Sequence, residues 1–328
     1  MKHQLFKEKN KLSCNKFQYR MKNSSQHKTL ISIVGPTAIG KTNLAIQIAR
    51  HLNCEIISCD SRQFFKEMKI GTAVPSDNEL AVVKHHFIQN KSIHETYSVG
   101  DFERDGLKFL EEYFKTNDYC IMVGGSGLYE KAITVGFDSF PDVDPKIREN
   151  LNQELEVFGI EKLQNELKEN DPIYFEEVDI QNKQRVIRAL EIYRGTGLPF
   201  SSFRNQNLNP RPFQIIKIGL ELPREEMYDR INRRVDIMLN DGLIEEVKSL
   251  AHFKDLNALQ TVGYRELFEY FDGNFSQEFA IEEIKKNTRR FAKRQMTWFK
   301  KDETVKWFSP LDFKTILADL LLHLKSNI

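Results

Sequence analysis

Cysteine is scarce in this chain: four in 328 residues, at Cys14, Cys54, Cys59 and Cys120. No two form a C-x-x-C pair and no histidine cluster completes a tetrahedral set, which argues against a structural zinc site. Cys54 and Cys120 lie in or beside apolar, strand-like runs and read as buried free thiols, in keeping with a reducing cytoplasm. Long hydrophobic runs are missing too. None approaches the roughly 20 residues of a membrane-spanning helix, so no membrane attachment is expected. Charge of one sign is not in excess either: 48 basic residues against 47 acidic give a net +1. Whole-chain electrostatics therefore neither call for nucleic acid nor exclude it, and local distribution has to decide. There is no internal repeat and no low-complexity tract. With 40% hydrophobic and 29% charged residues, the composition is that of a soluble globular chain with one or two domains.

The first 28 residues carry eight Lys/Arg against one acid. They lack the apolar core of a signal peptide and are Lys-rich rather than Arg-rich. A nucleic-acid arm is one reading. The other is a disordered tail or over-long start, with Met21 a natural beginning a few residues before the first strand.

"TLISIVG" reads as a buried strand and "KTNLAIQIARHL" as a helix, with Leu44, Ile48 and Leu52 four apart. "CEIISCD" is a second strand, "SVGDFERDGLKFLEEYF" a helix with Asp101 as its cap, and "YCIMVGGSGLY" a third strand entering a Gly-rich turn. This alternation predicts an α/β fold, a doubly wound parallel sheet of the phosphate-loop NTPase-like kind. From Pro141 to about Pro212 the pattern becomes helical and charged, then "FQIIKIGLEL" returns as a strand, followed by long helices. The expected organisation is an extension over 1–28, a core over 29–140 and 211–328, and a helical insertion domain over 141–210.

"GPTAIGKT", Gly35 to Thr42, is G-x-x-x-x-G-K-[ST] between a strand and a helix. Glycines let backbone N–H groups turn inward around oxyanions, and the helix start adds positive potential. Gly35, Pro36, Thr37, Ala38, Ile39, Gly40, Lys41 and Thr42 are thus the candidate phosphate cradle, with Lys41 reaching the terminal phosphate and the Thr42 hydroxyl able to hold Mg²⁺. The pattern says polyphosphate, not ATP. The third strand ends in glycines, without the Asp that completes the Mg²⁺ site of a motor ATPase, and no arginine-rich nucleotide lid is evident. Asp60, at the end of the second strand, faces the same crevice and is the candidate catalytic carboxylate.

Several stretches, in this order, resemble the tRNA dimethylallyltransferase family: "GPTAIGKT", "DSRQFFKEMKIGTAVP", "HHFI", "YSVGDFERD", "VGGSGLY", "QNKQRVIRALEIY", "TVGYRE" and "TRRFAKRQMTWFK". They extend from about residue 30 to 300. The resemblance implies transfer of a dimethylallyl group from its diphosphate to N6 of adenosine 37, beside the anticodon, in tRNAs reading codons that begin with U. On that reading the loop holds the leaving diphosphate and no phosphoryl group moves. Asp60 accepts the proton of the adenine amine. Lys41, the loop amides and Mg²⁺ on Thr42 stabilise the leaving group. Arg234 best matches a further arginine of the family, with Arg230 and Arg233 as neighbours that could take its place.

The resemblance also implies segments that contact the tRNA anticodon stem-loop: Asp60, Ser61, Arg62 and Gln63; Ser126; Gln184, Arg185, Val186, Ile187 and Arg188; and Gln260, Thr261, Val262, Gly263, Tyr264 and Arg265. Gly263 would allow close backbone approach and Tyr264 would offer a ring to a base. Lys285 to Lys301 holds eight Lys/Arg and no acid. Phe291 and Trp298, seven apart, are expected to dock to the core while the basic residues face RNA phosphates. Ile39 stands where the family often has a small polar residue, which could cost a hydrogen bond to phosphate. Ser126 replaces a common Thr and keeps the hydroxyl. No C-terminal zinc finger follows, so the bacterial form matches better. A cytoplasmic monomer is expected. The alternatives are a small-molecule kinase, with ATP in the loop and Asp60 deprotonating a hydroxyl, and an RNA-binding ATPase.

Overall fold

The computed structural model describes residues 28–138, 140–204 and 210–326. The basic N-terminal extension, apart from Lys28, lies outside them. Among the described residues no helix is long and apolar enough to cross a membrane.

The chain divides into two compact units, one built from the residues up to Val135 and from Arg211 onward, the other from Gly136–Pro210. The first is organised by β1 (Thr29–Val34), β2 (Ile56–Ser58), β3 (His85–His86), β4 (Tyr119–Val123), β5 (Gln214–Leu220) and β6 (Val305–Phe308). These form one sheet in the order β3-β2-β4-β1-β5-β6, with every pairing parallel. All six residues of β1 are buried, as a central strand covered on both faces requires; hence its uninterrupted apolar run. The edge strands β3 and β6 have two and four residues, which limits unpaired edge.

Because the strands are parallel, their C-terminal ends share one edge, where open α/β sheets bind ligands. β2, β4 and β1 are consecutive neighbours there. The turn after β1 leads into helix α1 (Lys41–Leu52), whose Leu44, Ala45, Ile48 and Ala49 face the core. Helix α2 (Asp77–Val82) precedes β3, and α3 (Val99–Tyr113) precedes β4. The cap of α3 is Ser98, with Asp101 as its partner at the third position of a capping box, correcting the assignment of Asp101 itself. Helix α4 (Gly127–Thr134) follows the Gly-rich turn.

The second unit holds α5 (Pro145–Phe158), α6 (Ile160–Asn170), α7 (Pro172–Glu177) and α8 (Lys183–Thr196). Asp144 and Asp171 cap α5 and α7, each with proline at the first helical position. Leu151, Leu163, Leu167, Val186, Ile187 and Leu190 form its core. Arg194 ties Glu154 to Glu166 through bonds of 2.6–3.1 Å.

The C-terminal part of the first unit adds α9 (Arg224–Asn240), α10 (Leu243–Ser249), α11 (Tyr264–Phe271), α12 (Gln277–Phe299) and α13 (Phe313–Ser326). The buried residues of α12 are Ala280, Ile284, Ala292, Gln295 and Phe299. Phe291 is 38% and Trp298 42% exposed, so the pair does not dock to the core as the seven-residue spacing suggested. The stripe 284/292/295/299 is the one that turns inward.

Candidate active site

The loop after β1 is a left-handed and right-handed backbone alternation: φ is 143° at Gly35, 64° at Ala38 and 103° at Gly40. A Cβ on Gly35 would stand 2.8 Å from the carbonyl oxygen of Leu220, so only glycine lets the loop pass β5. Gly40 precedes α1 without a side-chain cap, which leaves the first amides of α1 turned toward the crevice. Lys41 Nζ donates to Gly35 O at 3.0 Å and Pro36 O at 2.7 Å, and an ammonium keeps a third N–H beyond these. Burial brings its pKa down to about 8, with Asp60 opposing the shift and Arg234 adding to it.

Asp60 reaches this crevice because β2 lies beside β4. A Cβ on Gly124 would come within 2.9 Å of Asp60 N, so the first glycine after β4 permits the approach of the β2 turn. One Asp60 oxygen accepts from Arg62 N at 3.1 Å, and Asp60 N donates to Ser58 Oγ at 3.2 Å. Ser126 Oγ accepts from Ser61 N at 3.0 Å and donates to Ser61 Oγ at 3.1 Å, joining the "DSRQ" and "GGSG" turns.

A cavity of about 700 Å³ opens here, lined by the loop from Thr37 to Asn43, by Asp60 and Gln63, and by Thr72–Pro75. Arg230, Arg233 and Arg234 of α9 form its cationic wall; Ile237 and Phe291 add an apolar one. Of these three, Arg234 is the one on which the charge of Asp60 acts. Burial lowers its pKa while Asp60 and Glu79 hold it up. Arg230 donates to Ile39 O at 3.4 Å and Arg233 is exposed. The cavity thus combines inward amides, four cationic side chains and two carboxylates, Asp60 and Glu79, a set that can hold a polyanion and take a proton beside it. Among the described residues no group of three or more His, Cys, Asp and Glu could hold a metal ion. A cation here would depend on the Thr42 hydroxyl, ligand oxygens and water, which is how Mg²⁺ commonly binds beside phosphates.

The IPP transferase family profile matches residues 63–302. A tRNA dimethylallyltransferase of Flavobacterium johnsoniae is 57% identical over 92% of this chain and 100% of its own length. One from Christiangramia forsetii is 62% identical, covering 85% and 92%. The chain belongs to this family. A tRNA isopentenylpyrophosphate transferase of Bacillus halodurans superposes with a TM-score of 0.69 at 36% identity, covering 92% of this chain and 98% of its own. A eukaryotic dimethylallyltransferase acting on tRNA gives 0.73 at 27% identity, covering 88% and 75%. The small-molecule kinase and the RNA-binding ATPase both lose their footing in a family of prenyltransferases.

Several residues do something other than what the IPP transferase motifs suggested. Ile39 is fully buried in the core, so its side chain takes no hydrogen bond away from a phosphate. Arg62 donates from Nη1 to Asn257 O at 2.7 Å and Ala258 O at 2.9 Å, fastening the "DSRQ" turn to the segment before Gln260. Gln63 donates to Thr72 O and Ala73 O at 3.2 and 3.0 Å, bracing the cavity wall. Gln260 donates to Lys254 O. Tyr264 is fully buried and donates to Glu246 at 2.6 Å, so its ring is core and not a platform for a base. Glu246 also accepts from the amides of Lys69, Ile70 and Gly71. In the second unit Val186 and Ile187 are fully buried, which leaves Gln184, Arg185 and Arg188 as the polar part of that motif. Arg188 pairs with Glu191 at 2.8 Å, and Gln184 accepts from Arg148.

Gln295 was not foreseen. Its Oε1 accepts from Thr37 N at 2.9 Å and its Nε2 donates to Gly125 O at 2.8 Å. The signal was present in the sequence: an uncharged polar residue at the helical spacing of Ala292 and Phe299.

Proposed function

We propose that the chain transfers a dimethylallyl group from dimethylallyl diphosphate to N6 of adenosine 37 in tRNAs reading codons that begin with U. The observation that carries this reading is the meeting, in one cavity, of a carboxylate with a phosphate loop and arginine wall. The diphosphate lies against the amides from Ala38 to Thr42, Lys41 and Arg234. Arg230 and Arg233 add positive potential at longer range. When bound, Mg²⁺ on Thr42 would neutralise charge on the leaving oxygens.

The adenine amine is a weak nucleophile because its lone pair is delocalised into the ring. As its nitrogen bonds to the allylic carbon, the carbon–oxygen bond to diphosphate breaks, and the oxygen carries away the electron pair. The nitrogen's surplus proton passes to Asp60. The Arg62 amide holds one Asp60 oxygen, which leaves the other to face the base. The cationic wall is already in place, so it stabilises the diphosphate without reorganising.

The base must leave its stack to enter the cavity. Ser61, Ser126 and Arg265 are polar groups offered to the anticodon loop; in the second unit, Arg185 and Arg188 are proposed separately as tRNA contacts. The exposed Arg290, Lys293 and Arg294 of α12 meet its phosphates. We further propose that the protein works as a cytoplasmic monomer.

The test is incubation of the protein with unmodified tRNA, Mg²⁺ and dimethylallyl diphosphate, followed by mass analysis of the nucleosides. Isopentenyladenosine with equimolar pyrophosphate is expected. ATP turnover without a prenylated nucleoside would refute the reading.

A further inference from the structure

The hydrogen bonds of Gln295 cross long stretches of chain. One reaches Thr37, in the phosphate loop, and the other reaches Gly125, in the turn that bonds to the "DSRQ" segment through Ser126. The side chain is only 6% exposed, and the space beside Gly125 is filled by it: a Cβ there would stand 2.2 Å from its Nε2. The same position is 3.8 Å from Lys41 Nζ. A neutral amide suits the place because it accepts from one backbone group and donates to another without adding charge beside the lysine.

We propose that Gln295 is a positioning residue for diphosphate binding: by holding Thr37 N–H it fixes the shape of the phosphate loop against the Gly125 turn. The inference rests on the reading that this loop holds diphosphate. Without the glutamine, the amides after Thr37 still exist but must be ordered by the ligand at its own expense. Held in place, they contribute to diphosphate binding before and during the transfer alike, so the effect belongs in KM and not in kcat.

The experiment compares wild type with Gln295→Met and Gln295→Glu. Met keeps the length and loses both bonds; Glu keeps the acceptor for Thr37, loses the donor to Gly125 and brings a negative charge near Lys41. KM for dimethylallyl diphosphate is expected to rise about tenfold in the Met variant and further in the Glu variant. kcat and the KM for tRNA should stay within about threefold. Inorganic pyrophosphate, titrated calorimetrically into the full chain, should lose affinity in the same order. Unchanged pyrophosphate affinity in both variants, with only a lower melting temperature, would overturn the proposal. Failure of both variants to fold would assign the residue to the core alone and overturn it too. Absence of pyrophosphate binding by the wild type would instead count against the diphosphate reading itself.

Discussion

Lys41 offers a test in which one group drives two observables in opposite directions. Burial brings its pKa from 10.5 to about 8. A diphosphate needs the ammonium, so binding above that pH requires a proton to be taken up. At pH 9 about one molecule in ten still carries it, and each further unit costs about another tenfold. With tRNA saturating, kcat/KM for dimethylallyl diphosphate should therefore stay level from pH 7 to near 8 and then fall with unit slope. Lys41→Arg should lower the plateau but abolish the limb, because a guanidinium stays protonated throughout this range. Folding stability without ligand moves the other way. Between pH 8 and 10.5 the unfolded lysine holds a proton that the folded one has released, so stability contributed by this group rises with pH. It should be read as the difference between wild type and Lys41→Met in urea titrations. The subtraction is needed because burial raises the thiols of Cys54, Cys59 and Cys120, and these groups act in the opposite sense above pH 9. An alkaline limb identical in wild type and Lys41→Arg, or a wild-type profile flat to pH 9.5, would refute the reasoning.

Asp60→Asn should cut turnover by about 10²–10⁴ and leave tRNA affinity nearly unchanged, since the amide cannot take the proton; a gel-shift titration beside single-turnover kinetics separates the two, and wild-type turnover would remove Asp60 from the chemistry. Among the α9 arginines, Arg234→Ala should lower kcat/KM by about 10² and Arg233→Ala by no more than a few fold. Steady-state kinetics that ranked them the other way would mean the diphosphate lies farther out. Glu246→Gln should destabilise the first unit by about 2–4 kcal/mol, because an NH₂ would replace one of the oxygens that accept from Lys69, Ile70, Gly71 and Tyr264. A urea midpoint equal to wild type would show that those amides find other partners.

What the sequence disclosed, and what it hid, follows from how local each interaction is. The turn from Gly35 to Thr42 was legible as a cradle because strand, glycines, lysine and helix start are contiguous and its shape is set by the backbone. Asp60 was legible because parallel strands put their C-terminal ends on one edge. β3 and β6 were not, being two and four residues long and so too short to show a period. The face of α12 was misjudged because Phe291 and Trp298 share a spacing that Ala292 and Phe299 share as well, and the small alanine, not the large ring, is what lets the helix lie close.

The motifs assigned to tRNA blurred for a different reason. Arg62, Gln63 and Tyr264 stand in stretches assigned to tRNA, yet their partners are Asn257 and Ala258, Thr72 and Ala73, and Glu246. Three of those five partners lie far along the chain, and all five are engaged through backbone carbonyls or a carboxylate, none of which leaves a mark in local sequence. An anticodon loop inserted between two turns needs both turns held rigid before it arrives, or its binding would be spent on ordering them. A motif at such a place must therefore contain residues that touch RNA and residues that brace those that do. In this chain Arg62 braces the segment before Gln260 and Gln63 the cavity wall, while Ser61 and Ser126, bonded to each other, stand among the proposed contacts. Substituting a bracing residue and substituting a contacting one would both weaken tRNA binding. They differ in the unliganded protein: only the bracing residue, once lost, should expose the amides of residues 60–63 and 257–261 to hydrogen exchange before any RNA is added.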